Sequence, residues 1–241
     1  MLGRMAAPYH ASARVYDLLY DAMGRDTAAE AADLDALVQQ HRPGAATLLD
    51  VACGTGSHLA HLAERYDVAG VDVEPAMLVE ARRRLPGVEF VEGDMRSFDV
   101  GRRFDAVVCL FSSVGYLPDS DELDRAVATM AAHLTPGGVL VVDGWLRPES
   151  VRTGSLQLLA DRDGDLAAAR IGISQVHGRR THLEMHHLIG TPDHVEHVVE
   201  HHDLTVFTDA EYRHACTGAG LAVDVVPGPM PGRDRYVGVL G

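Results

Sequence analysis

Carboxylates and glycines stand at the ends of three successive apolar runs in this 241-residue chain. The run within residues 48–57 ends in a turn with two glycines, which lets the backbone take positive φ and approach a ligand closely. Asp72 ends the next run, 18 residues after Gly54, where a carboxylate can accept both hydroxyls of a ribose. Asp94 and Met95 follow the third run, and a carboxylate beside an apolar side chain suits an adenine ring. The pattern therefore predicts a site for an adenosine-containing ligand.

An alternation of strands and helices must bring these run ends together. Strand-like apolar runs lie at 45–52, 68–73, 88–93, 104–111 and 139–145. Helical periodicity is found at 11–20, 26–41, 57–65, 75–85 and 119–134. Such alternation predicts a parallel, doubly wound α/β sheet, whose ligands lie at the carboxyl ends of the strands.

The pattern changes after Trp145. Residues 151–207 show two-residue alternation, clearest at 181–189, and predict an antiparallel sheet inserted late in the α/β unit. A helix at 209–219 and strands at 221–226 and 235–240 then return the chain to the main sheet. We therefore expect an α/β core with N-terminal helices at 1–144, an antiparallel β insertion that contributes to the substrate cleft at 145–207, and a return to the core at 208–241.

The string Asp-Val-Ala-Cys-Gly-Thr-Gly at 50–56 resembles motif I of the class I S-adenosylmethionine-dependent methyltransferases. Dinucleotide-binding folds have a third glycine where this chain has Leu59, which counts against a nicotinamide oxidoreductase. Longer blocks, LLDVACGTGSHL at 48–59, CLFSSVGYL at 109–117 and VEHHDLTVF at 199–207, are similar to the nucleotide-diphosphate amino-sugar N-methyltransferases of the desosamine and mycaminose type. The resemblance implies a Rossmann-like, doubly wound seven-stranded sheet with a small antiparallel insertion, usually in a homodimer.

The same resemblance implies S-adenosylmethionine-dependent methylation, twice on one nitrogen, of a nucleotide-linked deoxy amino sugar in antibiotic or other natural-product biosynthesis. Methyl transfer from a sulfonium to a neutral amine is an in-line displacement, so orientation matters more than covalent help. Two alternatives stay open. The acceptor could be another small amine or a hydroxyl, or the chain could bind S-adenosylmethionine without catalysis.

Residue roles follow from the resemblance, position by position. The expected cofactor-binding residues are Tyr20, Asp50, Ala52, Gly54, Gly56, Asp72, Val73, Met77, Asp94, Met95 and Leu110. Tyr20 is expected beside the sulfonium, and Ser112, Ser113 and Trp145 are expected to face the sugar. Tyr116 is a second catalytic candidate, although relatives tend to have histidine there.

Two further pairs of residues are candidates because of their chemistry. Arg233 and Arg235, in a stretch rich in glycine and proline, could bind a diphosphate. Either His201, which we take as the third catalytic candidate, or His202 could accept a proton. Nine of the 14 histidines lie between residues 177 and 214, but strand alternation puts them on different faces and no metal is expected.

Composition restricts the partners. The formal net charge of −14 argues against nucleic acid, which requires a basic footprint. All 21 basic residues are arginine, so a Schiff-base lysine and a Walker-type phosphate loop are excluded. Three widely spaced cysteines, a start without an apolar leader and no long apolar segment predict a cytoplasmic protein without a membrane anchor.

Overall fold

The computed structural model describes residues 9–241. Residues 1–8 lie outside the described residues. The predicted core region at 1–144 and the expectation of no apolar leader both include these residues. The strands are β1 (Thr47–Val51), β2 (Asp67–Asp72), β3 (Glu89–Glu92), β4 (Phe104–Cys109), β5 (Leu134–Leu146), β6 (Ser155–Asp163), β7 (Leu166–His177), β8 (Arg180–Gly190), β9 (Val195–Thr205), β10 (Leu221–Pro227) and β11 (Arg233–Leu240). The α-helices are α1 (Tyr16–Asp21), α2 (Thr27–His41), α3 (Ser57–Leu62), α4 (Pro75–Arg84), α5 (Ser120–Ala132) and α6 (Asp209–Gly218). Short 3₁₀ turns lie at Ala13–Val15, Ser113–Tyr116 and Pro148–Ser150.

The main sheet has seven strands in the order β10-β11-β5-β4-β1-β2-β3. Strands β1 to β5 pair in parallel, and β11 pairs antiparallel with both β5 and β10. The predicted class I α/β fold is therefore confirmed. Because the parallel strands share one direction, the carboxyl ends of β1 to β5 meet at one edge of the sheet, where the candidate residues were expected.

Side chains at the helix starts fix where the helices begin. The Asp26 carboxylate accepts a hydrogen bond from the Ala29 N–H at the start of α2, and Thr208 forms a capping box with Glu211 at the start of α6. One expected boundary is wrong. The strand predicted at 139–145 begins five residues earlier, at Leu134, because Gly137 takes a positive φ and the pairing with β4 shifts register nearby, which makes a bulge.

The predicted insertion forms a separate four-stranded antiparallel sheet in the order β6-β7-β8-β9. Its inner face lies towards the core and carries Thr181 and Met185, both buried, whereas its outer face carries His182 and Leu188. The two-residue alternation predicted at 181–189 is therefore confirmed. Among the described residues, no helix combines the length and apolar character that crossing a membrane requires.

The N-terminal helix connects the two sheets. Val15 and Leu19 are buried against Ala168 and Ile189 of the inserted sheet. The Thr55 hydroxyl, in the turn after β1, donates to Asp17 over 2.8 Å, and Arg84 of α4 also donates to Asp17. Helix α1 is thus fixed between the turn after β1 and the inserted sheet, which positions Tyr20.

Candidate active site

The turn between β1 and α3 has the backbone conformation that the glycine pattern predicts. Ala52, Gly54 and Gly56 all have positive φ, at 61°, 55° and 71°. For Ala52 this conformation costs on the order of 1 kcal/mol, a cost that proteins tend to accept at functional sites. A Cβ built on Gly54 would meet nothing within 4 Å, so the turn borders open space. A ligand can therefore approach this backbone closely.

Asp72 at the end of β2 is held rigidly beside that turn. Its Oδ2 accepts the Gly54 N–H over 2.7 Å, and its Oδ1 accepts the Glu74 N–H over 2.9 Å. Burial raises the pKa of Asp72, while these backbone hydrogen bonds oppose the shift. Each carboxylate oxygen keeps a further lone pair, so Asp72 can accept ribose hydroxyls in a fixed orientation.

Asp50 is the unpaired charge of the site. It is 2% exposed, and its Oδ1 accepts no hydrogen bond from any of residues 9–241. Burial, and then the neighbouring charge of Asp72, raise the pKa of Asp50 well above its usual range. A buried carboxylate without a partner is costly unless a cation pairs with it. S-Adenosylmethionine has an α-ammonium and a sulfonium, so the residues present fit this cofactor.

A cavity of about 250 Å³ opens beyond the carboxyl end of β3. Residues that line it are Ala52, Val73, Gly93, Asp94, Met95, Arg96, Tyr116, Leu117 and Pro118. Hydrogen bonds from Arg96, outweighing burial, lower the pKa of Asp94, so this carboxylate stays ionised and keeps its acceptor capacity. We call this space the cofactor cavity. It contains the predicted adenine residues, whereas Met77 is buried and lines neither this cavity nor the next.

A second cavity of about 390 Å³ separates the main sheet from the inner face of the inserted sheet. Its lining includes four of the candidate residues, Tyr20, Tyr116, Trp145 and Arg233. Residues that the inserted sheet adds to the lining include Gln157, Arg170, Thr181, Leu183, Met185 and Leu204. We call it the acceptor cavity. The indole Nε1 of Trp145 is buried and has no hydrogen-bond partner in the described part of the chain, so it can donate to a ligand.

Tyr116 lines both cavities. Its hydroxyl lies 2.9 Å from His202 Nδ1 and 3.2 Å from the Tyr9 hydroxyl, which in turn lies 3.3 Å from the Tyr20 hydroxyl. Burial raises the pKa of Tyr116, and burial also raises the pKa of Tyr9. The phenols of Tyr116 and Tyr9 are therefore neutral at physiological pH, and together with Tyr20 they form a hydrogen-bonded group where the two cavities meet.

The structure corrects the choice of His201 as the proton acceptor. Its side chain is exposed on the outer face of the inserted sheet, 3.9 Å from Glu184, and cannot reach the cavity. The neighbouring His202 points inward, is 1% exposed and contacts Tyr116. Burial lowers the pKa of His202 to about 4, against the charge of Glu200, so its imidazole is neutral. One residue along a strand reverses the face, which decides between the two histidines.

Glu200, on the same face as His202, fixes the start of the described chain. Its carboxylate accepts hydrogen bonds from the Ala11 N–H and from the Ser12 N–H and hydroxyl, at 3.1, 3.1 and 2.7 Å. Burial opposes ionisation of Glu200, but the nearby imidazole of His187, 3.3 Å away, and hydrogen bonds from Ser12 outweigh it and lower its pKa to about 2. The segment that carries Tyr9 is thereby held against the acceptor cavity.

Two arginines that line the acceptor cavity, Arg170 buried and Arg233 half-buried, lack acidic partners in the described part of the chain. Arg233 donates to the Ser112 hydroxyl over 3.1 Å and lies 4.4 Å above the Trp145 ring, and burial lowers its pKa. Arg170, 2% exposed, donates to Gln157 over 2.9 Å and lies above the Tyr20 ring. No carboxylate in the described part of the chain lies within 4.0 Å of either guanidinium. Sequence analysis missed Arg170, although its position in the inward phase of β7 could have indicated it.

Arg235, the other predicted diphosphate ligand, lies elsewhere. It is buried, and its Nε donates to Asp143 over 2.7 Å while Nη1 donates to Asp33 over 3.2 Å. The Asp143 carboxylate also accepts the Phe111 N–H over 3.0 Å. Arg235 therefore acts on the site through Asp143, by holding the loop after β4, and does not line either cavity. In that loop Phe111 and Ser112 both have positive φ, at 54° and 64°.

Other predicted residues of this loop are engaged locally. The Ser112 hydroxyl donates to the Gly144 carbonyl over 2.6 Å and accepts from Arg233. The Ser113 hydroxyl donates to the Leu110 carbonyl over 2.9 Å. Neither serine lines the acceptor cavity, so both position the loop and Arg233 around it.

Comparisons with known proteins agree with this geometry. A family model described as a methyltransferase domain matches residues 48–138. The chain is 45% identical over 231 residues to a dTDP-3-amino-3,6-dideoxy-α-D-glucopyranose N,N-dimethyltransferase of Streptomyces fradiae, covering 95% of this chain and 91% of that protein. It is 45% identical over 229 residues to a dTDP-3-amino-3,4,6-trideoxy-α-D-glucopyranose N,N-dimethyltransferase of Streptomyces venezuelae, covering 94% and 97%.

Two solved structures also resemble this chain over nearly its whole length. The crystal structure of Streptomyces venezuelae DesVI matches with a TM-score of 0.90 and 44% identity, covering 95% of this chain and 98% of that one. CalS10, an amino pentose methyltransferase from Micromonospora echinaspora solved with bound S-adenosylmethionine, matches with a TM-score of 0.84 and 42% identity, covering 94% and 97%.

Proposed function

The chain belongs to the S-adenosylmethionine-dependent N-methyltransferases, in the family of the dTDP-amino-sugar N,N-dimethyltransferases, and on this premise we propose that it dimethylates the amino group of a nucleotide-diphosphate-linked deoxy amino sugar. The observation that carries the proposal is the pair of adjoining cavities that share Tyr116. One is lined by the strand-end carboxylate Asp94, and the other by two arginines, Arg170 and Arg233, without acidic partners among residues 9–241.

Four residues would hold the cofactor. Asp50 would pair with the α-ammonium, Asp72 would accept the ribose hydroxyls, and Asp94 with Met95 would bind the adenine. When bound, S-adenosylmethionine supplies a methyl group already activated on a sulfonium. The turn at Gly54 leaves room for the methionine part, because a Cβ there would meet open space.

The acceptor cavity supports an anionic substrate. Arg170 is buried and Arg233 is half-buried, and a diphosphate would supply the negative charge that each guanidinium lacks. This arrangement reconciles a chain of net charge −14 with a nucleotide sugar, since the local field at the cavity is set by these two cations. We propose that residues 145–207 form the acceptor-binding region, residues 1–144 the cofactor-binding core and residues 208–241 the return that contributes Arg233.

Tyr116 and His202 would orient the amine. Both are neutral, because burial raises the pKa of the phenol and lowers that of the imidazole. A neutral phenol oxygen can accept an amine N–H and so direct the nitrogen lone pair towards the methyl group. Alignment of nitrogen, methyl and sulfur contributes roughly 7–11 kcal/mol, whereas a base adds about 10²–10⁴-fold. Placement of the amine is therefore the larger contribution to catalysis. Tyr20 would contribute to this placement too, because its hydroxyl lies next to that of Tyr9.

The test is methyl transfer to a defined panel of acceptors. The protein is incubated with S-adenosylmethionine and dTDP-3-amino, dTDP-4-amino and dTDP-hydroxy deoxysugars, and products are followed by mass spectrometry. We expect addition of one and then two methyl groups to an amino sugar. Methylation of the hydroxy sugar would favour an O-methyltransferase, and cofactor binding without product on any acceptor would favour a non-catalytic binder.

We further propose that the protein is a homodimer and acts in the cytoplasm. The outer face of the inserted sheet exposes a group of large apolar side chains on β6 and β7, with Leu156 72% and Leu158 68% exposed, and such patches commonly mark interfaces. Light scattering should give twice the chain mass, and Leu158→Glu should give the monomer. A dimeric Leu158→Glu variant would place the interface elsewhere.

The three cysteines are buried free thiols, which fits the reducing cytoplasm, and cell fractionation tests that location.

A further inference from the structure

A second set of polar residues lies on the outer face of the inserted sheet, away from both cavities. On β8 it consists of His182, Glu184 and His186, and on β9 of His197, His201 and Asp203. In the antiparallel register His182 lies opposite Asp203, and Glu184 lies opposite His201. Because outward and inward side chains alternate, these six residues share one face, whereas His187 and His202 point inward.

Three of these residues bring ligand atoms close together. One nitrogen or oxygen of each of His182, Glu184 and His201 lies within 4.8 Å of the other two. The imidazole rings of His182 and His201 are nearly parallel, with an interplanar angle of 17° and centres 5.4 Å apart. All three side chains are partly exposed, so solvent and ions can reach them.

Neighbouring groups orient two of these side chains. The Asp203 carboxylate lies 2.8 Å from His182 Nδ1, which leaves Nε2 of that ring for a metal. His186 Nε2 lies 2.9 Å from Glu184 Oε1, which leaves the second oxygen, Oε2, on the side of His201. A carboxylate on the second ring nitrogen is the usual partner of a metal-ligating histidine, because it fixes the ring and raises its basicity.

We propose that His182, Glu184 and His201 bind one divalent transition-metal ion of the zinc class. Imidazole nitrogen with one carboxylate oxygen suits Zn²⁺, Co²⁺ or Ni²⁺ and not Mg²⁺, which prefers oxygen ligands. Ligand atoms at about 2.0–2.1 Å from Zn²⁺ lie roughly 3.4 Å apart in a tetrahedral site, so the three side chains need to close by about 1 Å. Partly exposed rotamers on a sheet surface allow that adjustment.

The bound ion would tie β8 to β9 from outside. The same two strands present Leu183, Met185 and Leu204 to the acceptor cavity and His202 to Tyr116. The metal would therefore stabilise the wall of the cavity without entering it. The apolar group on β6 and β7 proposed above as the dimer interface lies on other strands of the same face.

The test measures Zn²⁺ binding, so it does not depend on methyl transfer. Full-length protein without a histidine tag is treated with EDTA, dialysed and titrated calorimetrically with Zn²⁺ at pH 7.5, with Mg²⁺ as the comparison ion. We expect one Zn²⁺ per chain, a Co²⁺ absorption spectrum typical of tetrahedral coordination, and no heat with Mg²⁺. Affinity should fall steeply below pH 6, because protons compete for imidazole nitrogen.

Variants locate the ion. His182→Gln and His201→Gln should each weaken Zn²⁺ binding at least tenfold, and Asp203→Asn should weaken it by a smaller factor. His214→Gln on α6 removes another exposed histidine and should bind as the wild type does. Circular dichroism without metal checks that each variant is folded.

Two results would overturn the assignment. One is that the wild-type protein takes up no Zn²⁺ at micromolar concentrations, or that the His182→Gln and His201→Gln variants bind Zn²⁺ as tightly as the wild type does. The other is a loss confined to His197→Gln. That would move the ion to the neighbouring pair, where His186 Nδ1 and His197 Nε2 lie 3.1 Å apart.

Discussion

Arg233 and Arg235 lie two residues apart on β11, yet we expect their replacement by methionine to have opposite consequences. Arg233 is half-buried beside Trp145 and has no carboxylate partner among residues 9–241, whereas Arg235 is buried and paired with Asp143. Methionine keeps most of the side-chain volume in both cases and removes the charge. The two variants therefore separate a guanidinium held for a ligand from one that holds the fold.

For Arg233→Met, the structure sets the expected sizes. The variant loses a hydrogen bond to Ser112, about 1 kcal/mol, and the stacking on Trp145, about 0.5–2 kcal/mol. It also removes a half-buried charge without an acidic partner, which offsets these losses. The free energy of unfolding of the ligand-free protein should stay the same or rise. A lost charged contact to a phosphate is worth about 1.5–3 kcal/mol, or roughly 10–150-fold in kcat/KM for the nucleotide sugar.

For Arg235→Met, the result should be a less stable protein. The variant leaves Asp143, which is 5% exposed, without its cation, and breaking a buried pair on one side costs about 3–5 kcal/mol. A loss of that size lowers the Tm of a chain of this length by on the order of 10 °C.

Three measurements on each variant test the reasoning. They are a thermal melt without ligand, the Kd for S-adenosylmethionine by calorimetry, and kcat/KM for the nucleotide amino sugar and for the same amino sugar without its nucleotide. In Arg233→Met the cofactor Kd should not change, and the loss should be confined to the nucleotide-linked acceptor. An equal loss with both acceptors, or a marked fall in Tm, would refute a diphosphate role for Arg233.

Three further predictions concern the other site residues. Asp50→Asn should raise the Kd for S-adenosylmethionine at least tenfold by calorimetry, and it should stabilise the ligand-free protein, because the buried charge is gone. Tyr116→Phe should lower kcat/KM about tenfold without moving the pH profile, since it affects placement; a loss above about 10⁴-fold would instead indicate a base. His202 has a folded-state pKa of about 4 against 6.5 unfolded, so the unfolded chain binds more protons between those values. Urea titrations should therefore show stability falling by roughly 3 kcal/mol as pH drops from 6.5 to 4, and His202→Gln should flatten that slope.

The backbone around the turn after β1 and the placement of the strand-end carboxylates follow from local rules that the sequence reveals. A strand, a turn with positive φ and a helix must follow one another between Leu48 and Ser57, and the carboxyl ends of parallel strands converge without further information. Asp50, Asp72 and Asp94 consequently lie at that edge. The bulge at Gly137 escaped prediction, because a proline and two glycines indicate a turn more strongly than an irregular strand.

The acceptor half depends on which face each side chain of the insertion takes, and that requires the exact register of four strands. An error of one residue exchanges His201 for His202. Arg235 turns away from the cavities because it pairs with Asp143, 92 residues earlier in the chain, and no local sequence pattern reveals that pairing. Arg170 was missed because an arginine in a strand is usually read as solvent-exposed, whereas here it points into a cavity.

One short segment connects the two halves. Ala11 and Ser12 donate to Glu200 of the inserted sheet, and His10 Nδ1 lies 2.9 Å from the carboxylate of Glu74, the residue whose N–H binds Asp72. These contacts also hold Tyr9 in place, and its hydroxyl lies within 3.3 Å of the hydroxyls of Tyr20 and Tyr116. The edge of the main sheet and the inserted sheet are thus fixed to each other by contacts of this segment. Methyl transfer by orientation requires such a connection, because the nitrogen comes from one region and the methyl group from the other.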